Sequence, residues 1–529
     1  MAVVQHVSSS VGHARWVRVL HWIGAASVLT LAVTGFVILM AHPRLYWGPT
    51  GNDLTPALIE LPISRNYQHG GWSEPEHFRA LGRLDVVSAG RTYDIFNANG
   101  WGRSLHFLAG WFLVATGLTY LVMGFASGHF GRRLWPSRDE RTSTAVAADV
   151  RAHLQLRVRR SPSTDAPVTH PGGPTYGPLQ KLAYLLVVFV LAPGLVVTGM
   201  TMSPAITAAA PWLLTALNGI QSARTLHFVL TVTLVLFVVA HVVMVVATGA
   251  SLSGRVGLVS RVGGPVGQVR QVGQVGISRR RWLAASVAGV AALVGYRARR
   301  FDLPRWSELP PTGGNPLRAG DTLTYAAQRA TLSPDSLATE YTLADITAFP
   351  AVGTVNPLAH KDPSVIDAFQ ELSANQFANW TLQVEGAVAR PREFSLAELK
   401  ALPSRRQITR HTCEEGWSAI AQWTGVPLST VLDTVGALPT ARFVVFHAID
   451  DIVDSLDMVD ARHPQTIVAY GMNGGDLPVR HGAPLRLRVE RQIGYKSIKY
   501  LTRIVVTEQF EDGGPKGDIQ NGWSWYNGI

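Results

Sequence analysis

The chain has 529 residues, a formal net charge of +11, 47% hydrophobic residues and a single cysteine. One cysteine rules out an intrachain disulfide, an iron–sulfur cluster and a cysteine-rich zinc site. The positive charge is concentrated in segments between long apolar stretches, where it marks membrane topology rather than a nucleic-acid footprint, so no nucleic-acid partner is expected.

Four apolar stretches lie in the first half, Val19–Ala41, Leu105–Phe125, Leu182–Met202 and Thr225–Thr248. Each is close to the ~20 residues that cross a bilayer, which makes membrane lipid a partner. Residues 132–160, between the second and third stretches, hold eight arginines against Asp139, Glu140 and Asp149, and residues 251–281 hold six arginines and no acid. Residues 42–101 have five arginines against six acids, and residues 203–223 have no charged side chain. The basic segments therefore belong to the cytoplasm, together with an N-terminus carrying Arg15 and Arg18.

Four histidines fall within or at the ends of these stretches: His21, His106, His227 and His241. A buried ionisable side chain in a membrane helix is costly without a partner, which makes each a candidate ligand. His227 and His241 are 14 positions apart, close to four helical turns, so they share a face about 21 Å apart along the axis. With the N-terminus inside, His21 and His241 lie at the cytoplasmic side, and His106 and His227 at the outer side. Each pair suits bis-histidine ligation of one b-type haem, giving an inner and an outer haem iron.

Arg18-Val19-Leu20-His21-Trp22 and Leu105-His106-Phe107 resemble the ligand-bearing starts of the first two helices in the di-haem cytochrome b subunits of nickel-iron hydrogenases and formate dehydrogenases. The resemblance covers roughly residues 10–250, taken as a di-haem cytochrome b transmembrane domain. Gly24, Gly35, Gly110, Gly117 and Gly199 would let either a helix or a porphyrin approach closely, and the sequence leaves both readings open. His6, His13, His42, His129 and His153 lie at or beyond the ends of the stretches and are expected at the surface.

The Gly-, Val- and Gln-rich run within residues 251–281 reads as a flexible cytoplasmic linker. It leads into Ser278-Arg279-Arg280-Arg281-Trp282-Leu283, which looks like a twin-arginine export signal set inside the chain. Residues 282–296 are expected to form a fifth span, with a surface-lying helix as the alternative, and a fifth crossing would deliver residues 301–529 to the periplasmic, extracytoplasmic side. Residues 301–350, rich in Pro, Gly and Thr, read as an extended arm. Residues 351–529 carry strand-like runs at Thr381–Val388, Phe443–Ala448, Thr466–Tyr470, Leu485–Val489 and Leu501–Glu508, and short helical patterns at Leu396–Leu402 and Leu428–Val435. The fold class is therefore multi-domain: an all-α transmembrane helical bundle followed by an α+β domain.

Cys413 stands in Arg410-His411-Thr412-Cys413-Glu414-Glu415-Gly416-Trp417-Ser418. The residues alone allow an inert thiol, a nucleophile or a thiolate ligand to a soft metal, and the flanking Arg410 and His411 would favour the thiolate. This run, with Trp423-Thr424-Gly425-Val426-Pro427-Leu428 after it, resembles the molybdenum-ligating segment of the sulfite oxidase fold, in the branch that includes the periplasmic methionine sulfoxide reductase catalytic subunit. His481-Gly482-Ala483-Pro484-Leu485-Arg486 and Gly494-Tyr495-Lys496-Ser497-Ile498-Lys499 resemble that family's pterin-phosphate segment. Asn375-Gln376-Phe377-Ala378-Asn379 resembles its first pterin contact. The resemblance implies a molybdopterin cofactor, with Cys413 on molybdenum and Asn375, Asn379, His481, Arg486, Lys496, Ser497 and Lys499 on the pterin. Arg410 and Arg480 are candidates for attracting an anionic or oxo substrate.

A molybdenum centre exchanges two electrons with substrate and a haem carries one, so the fusion implies a wire from quinone through two b haems to molybdopterin. The expected activity is quinol-driven oxygen-atom removal from a small oxo compound such as a sulfoxide. Two alternatives are a sulfite-type dehydrogenase donating electrons to quinone, and a non-catalytic transmembrane electron carrier with a docking domain.

Overall fold

The computed structural model describes residues 15–61, 99–154, 177–247, 318–360, 362–510 and 524–528. The expected linker, the fifth span and residues His6 and His13 lie outside the described residues. Among the described residues four helices are long and apolar enough to cross a membrane: Arg15–Ala41, Gly100–Ala126, Pro178–Thr201 and Ile220–Val246. They correspond to the four stretches found in the sequence. The third starts with Pro178 at its first turn, where a missing N–H costs nothing. It then changes to a π-turn at Val187–Leu191 before resuming at Ala192–Thr201. Pro193 follows directly and cannot donate to the carbonyl four residues back, which accounts for the wider turn at that point.

The described parts form two compact units. One draws on Met1–Ser27, Phe112–Val196 and Val229–Tyr296, the other on Val28–Trp111, Val197–Phe228 and Arg297–Ile529. In the first unit, Trp16 packs against His129 at 5.7 Å and Phe130 against Phe189 at 5.3 Å between ring centroids. His129 is buried there, not at the surface as its position beyond a span end suggested. Lys181 pairs with Glu140 at 2.9 Å, and Asp149 accepts from the Leu179 amide at 2.9 Å.

In the second unit, the segment after the first span is packed, not loose. Strand β1 (Arg44–Leu45) pairs antiparallel with β2 (Ile59–Glu60). His42, also expected at the surface, is fully buried, with Tyr46 Oη 2.9 Å from its Nε2. Arg44 faces Asp53 at 3.4 Å. Two short helices, Pro204–Ala209 and Trp212–Ala216, follow the third span.

The expected extended arm instead contains a helix, Ala319–Thr331, that buries Thr324, Tyr325 and Gln328 on one face. Its four alanines and this spacing outweigh the Pro and Gly around it, because the helix packs on an aromatic cluster of Phe443, Trp525 and Tyr526. The remainder is an α+β domain with two five-stranded sheets. The first runs β10 (Gly475–Asp476), β9 (Ile467–Met472), β6 (Ser418–Pro427), β5 (Arg405–Thr412), with β11 (Arg486–Arg488) also on β9. The second runs β4 (Arg392–Ser395), β3 (Thr381–Gly386), β12 (Leu501–Thr507), β7 (Phe443–Ala448), β8 (Val453–Asp457). The main core includes Trp380, Leu382, Val384, Phe446, Leu485, Leu487 and Ile504 from both sheets, all but Trp380 and Leu485 on strands. That core fixes β11 and the turn after β5, on which the candidate site stands.

Candidate functional site

Strand β5 pairs with β6 so that His411 faces Ala419 and Thr412 faces Ser418. The five residues between, Cys413 to Trp417, form a tight turn closed by the Cys413 amide to the Trp417 carbonyl at 2.9 Å and the Gly416 amide to the Cys413 carbonyl at 3.0 Å. Gly416 has φ +106°, a conformation that side-chain-bearing residues avoid. The turn holds Cys413 buried at 5% exposure, with its Sγ donating to Glu414 at 3.3 Å. Burial first, then Glu414 and Glu415, push the thiol well above its usual range. The thiolate-favouring flank expected from the sequence is therefore not what the fold provides. Arg410 lies on the opposite face of β5 from His411 and donates to Tyr341 Oη at 2.7 Å. Burial, then Arg488 and Arg486, hold His411 well below its usual range and therefore neutral. Deprotonation of Cys413 would have to come from a bound metal cation, which binds thiolate, not thiol.

Beside this turn lies a buried cluster of cations. Arg486 is buried, donates to the His481 carbonyl at 3.1 Å and has no partner at Nε. Burial and the neighbouring Arg488 bring its guanidinium down to about 9. Arg488 donates to His411 Nδ1 at 2.7 Å and to Glu490 at 2.8 Å, leaving its own Nε without a partner. Both guanidinium groups lie over the Trp423 ring, at 5.3 and 4.4 Å from its centroid. Lys499 donates to the carbonyls of Val352, Thr354 and Arg480 at 2.7, 2.9 and 2.9 Å. Burial, then Arg486, hold its ammonium well below the usual range. His481 is neutral, brought down to about 3 by burial and then by Lys499, and its Nδ1 has no partner. Buried cations that depress one another, with orphaned N–H groups between them, are what an anionic cofactor would satisfy.

The other expected contacts are placed differently. Ser497 accepts from Arg488 and from the Val489 amide, both at 3.3 Å, so it braces the cluster. Lys496 turns away into a buried ion pair with Asp454, beside Trp525, and is not brought to the cluster. Asn375 and Asn379 are exposed, on either side of two successive left-handed residues, Gln376 (φ 59°) and Phe377 (φ 64°). Phe377 packs against the cluster that contains Trp423, which brings the asparagine loop alongside the cations. Arg480 is exposed at the rim. Arg488 was missed from the sequence, although it lies two residues from Arg486 on one strand and so shares its face. Gly494 lies against the same ring: a side chain there would overlap the His411 imidazole.

The four membrane histidines meet in two pairs, one in each unit. His21 faces His241 with ring centroids 6.4 Å apart, and His106 faces His227 at 6.5 Å. A metal held at about 2 Å from one nitrogen of each ring requires a centroid separation of roughly 6 Å, so both gaps fit an iron between two imidazoles. Among the described residues no group of three or more His, Cys, Asp or Glu side chains could hold a metal ion.

The His106/His227 pair belongs to the same unit as Cys413. Gln221, six residues before His227, donates to the Gly416 carbonyl at 3.0 Å and to Ser418 Oγ at 2.9 Å. Gly51 exchanges two backbone hydrogen bonds with Ser418, at 3.1 and 2.8 Å. Arg224, one turn before His227, donates to the carbonyls of Arg44 and His42 at 2.5 and 2.6 Å. Ser104, two residues before His106, donates to Asp321 at 3.1 Å, and Trp111 donates to Thr324 at 2.9 Å.

Residues 12–252 match the family model for prokaryotic cytochrome b561, and residues 370–514 match that for the oxidoreductase molybdopterin binding domain. A putative protein-methionine-sulfoxide reductase subunit, YedZ1 of Azospira oryzae, is 42% identical over 162 residues, covering 31% of this chain and 60% of that protein. The protein-methionine-sulfoxide reductase catalytic subunit MsrP of Pseudomonas syringae pv. tomato is 29% identical over 262 residues, 44% of this chain and 72% of that protein. MsrP of Xanthomonas axonopodis pv. citri is 36% identical over 149 residues, 25% of this chain and 46% of that protein. The match to the first relative thus spans less than two thirds of its length. The chain joins a cytochrome b561 domain to a molybdopterin-binding oxidoreductase domain, and its cofactors are molybdopterin and haem b.

Proposed function

We propose that this membrane-bound molybdopterin oxidoreductase takes electrons from quinol and uses them to remove the oxygen atom of a sulfoxide, with methionine sulfoxide the first substrate to test. The observation that carries the reading is the seating of the Cys413 turn on the start of the fourth span, through Gln221, in the unit that holds the His106/His227 pair. A haem b between those histidines would lie next in line to a molybdenum held by Cys413. A second haem b between His21 and His241, in the other unit, would add a further carrier. Relatives named as methionine-sulfoxide reductase subunits are similar to 31% and 44% of this chain, which supports the direction of the reaction.

The side of the membrane follows from charge. The molybdopterin domain contacts the segments after the first and third spans, which are acidic or uncharged, and the arginine-rich segment follows the second span. The positive-inside rule then assigns the domain to the periplasmic side.

When bound, the cofactor would supply a metal able to exchange two electrons with substrate while passing them singly to a haem. The chain's own residues do the rest. Cys413 would anchor the metal. Arg486 and Arg488 would neutralise the pterin's negative charge in a site closed to water, with Lys499 adding its charge from behind and Asn375 and Asn379 reaching the cofactor from the neighbouring loop. Arg480, exposed beside His481, would guide an oxo group inward. The balance is one sulfoxide and one quinol giving one thioether, one quinone and one water, with both electrons and both protons supplied by the quinol.

The test uses purified full-length protein with a reduced quinone analogue and methionine sulfoxide, set against oxidised quinone with sulfite. Quinol oxidation stoichiometric with thioether formation is expected. Turnover only in the sulfite direction would overturn the proposed reaction, and absence of molybdenum on metal analysis would overturn the enzyme itself.

A further inference from the structure

Two stretches of the membrane domain repeat one pattern: Leu31-Ala32-Val33-Thr34-Gly35 in the first span and Leu195-Val196-Val197-Thr198-Gly199 in the third. The structure sets both against one site. Thr34 Oγ1 is 2.9 Å from His106 Nδ1, and Thr198 Oγ1 is 2.9 Å from His227 Nδ1. Both threonines are buried. The glycines after them lie under the same two rings: a Cβ at Gly35 would stand 3.5 Å from His106 Cε1, and one at Gly199 would stand 3.6 Å from His227 Cε1. Two different helices thus present a hydroxyl and a bare backbone to the two imidazoles that face each other.

The direction of the Thr34 hydrogen bond can be worked out. Its hydroxyl proton is directed to the Thr30 carbonyl at 2.8 Å, so toward His106 the oxygen is the acceptor. His106 Nδ1–H is then the donor, and Nε2 keeps its lone pair for a metal. Thr198 stands at the same distance from His227 Nδ1, and accepting there would give His227 the same tautomer. A ligand histidine whose second nitrogen donates to an acceptor is a stronger electron donor to its metal. The pair in the other unit has different surroundings. His241 stacks on Phe237 at 5.9 Å with an interplanar angle of 17° and meets Tyr184 edge-on at 6.5 Å.

We infer that Thr34 and Thr198 are positioning residues for the haem between His106 and His227: they fix both histidines with Nε2 toward the iron and, by strengthening them as donors, lower the midpoint potential of that haem. The inference rests on the proposal that these histidines share a haem.

The experiment is a redox titration of the two haem absorbance bands, with ferric low-spin EPR, on purified full-length wild type, Thr34→Val, Thr198→Val, the double variant and Thr34→Ser. Valine keeps the shape and removes the acceptor. The expected result is an upward shift in the midpoint potential of one haem in each valine variant, larger in the double, with the other haem unmoved and the serine variant at the wild-type value. Should Thr34→Val lose that haem outright, Thr34→Ser retaining it at the wild-type potential supports the same role. Unchanged potential and EPR spectra in both valine variants, or a serine variant that behaves like valine, would overturn the inference. His106→Ala and His227→Ala losing different haems would instead overturn the pairing beneath it.

Discussion

The histidine pairs and the cationic cradle would hold their proposed cofactors by opposite physical means. In the membrane domain two imidazoles face each other among apolar side chains, and in the unit that holds Cys413 a threonine hydroxyl stands against each ring. In the molybdopterin domain Arg486 and Arg488 are buried with neutral His411 and His481, and half-buried Lys499 joins them. The first arrangement needs only geometry, because a neutral ring costs little to bury. The second gathers charge that an anion must offset, so the cradle without its anion would be held at a cost the membrane sites do not bear. Loss of cofactor should therefore disturb the two regions unequally.

The largest effect expected is at Cys413. No other thiol exists in the chain, so Cys413→Ser should abolish turnover while the haem absorbance spectrum stays that of wild type. Retained activity in that variant would break the assignment of the metal ligand. Next in size are the histidines. His106→Ala and His227→Ala should each remove the same haem, and His21→Ala and His241→Ala the other, as counted by haem extraction. Loss of one haem in common by His21→Ala and His227→Ala variants would show that the pairs are wrongly drawn.

Within the cradle the expected effects divide. Arg486→Ala and Lys499→Ala should lower molybdopterin content several-fold without touching haem, because each removes charge from the cluster. Lys496→Ala should act differently, since it leaves Asp454 buried without its cation. Breaking such a pair costs about 3–5 kcal/mol, so this variant should lower the melting temperature of the domain rather than selectively deplete cofactor. A Lys496→Ala protein that melts like wild type but lacks pterin would restore Lys496 to the cofactor site.

That division marks where the sequence was legible. In the spans a period of 3.6 residues and an apolar background make the histidines stand out, and the 14-position separation of His227 and His241 together with the topology set by the basic segments draws both pairs. The Thr-Gly repeats were not legible, because threonine in a membrane helix ordinarily bonds its own backbone and only the fold brings a distant ring to it. In the α+β domain the motifs located the cradle but not the direction of each side chain. Whether Arg410 faces Cys413 depends on the β5/β6 register, and whether Lys496 faces the cofactor depends on Asp454, 42 residues away. The buried state of His42 had no local signal either, since its partners Tyr46, Arg44 and Arg224 are assembled by the packing of the fourth span.

The smallest predicted effect is on pH dependence and sharpens the same contrast at a histidine remote from either metal. His463 is buried, with its Nε2–H donating to the Ser336 carbonyl at 3.1 Å and its Nδ1 accepting from the Gln465 amide at 3.2 Å. Both nitrogens are used in the neutral form, and burial, then Arg491, bring the group down to about 4. The unfolded chain, with an ordinary histidine near 6.5, binds a proton between about pH 4 and 6.5 that the folded chain does not, so stability falls as pH is lowered through that window and is unaffected above it. At pH 5 this one group should cost at most about 2 kcal/mol relative to pH 7.5. Asp460, brought to about 2 by Arg329 and Arg491 against the opposing effect of burial, stays ionised in that range and leaves the trend to histidine. His463→Gln keeps a donor and an acceptor but cannot titrate, so its drop in melting temperature between pH 7.5 and 5 should be smaller than that of wild type. An equal drop in both proteins would mean that His463 is charged in the fold, or that the cradle histidines His411 and His481 carry the whole acid sensitivity.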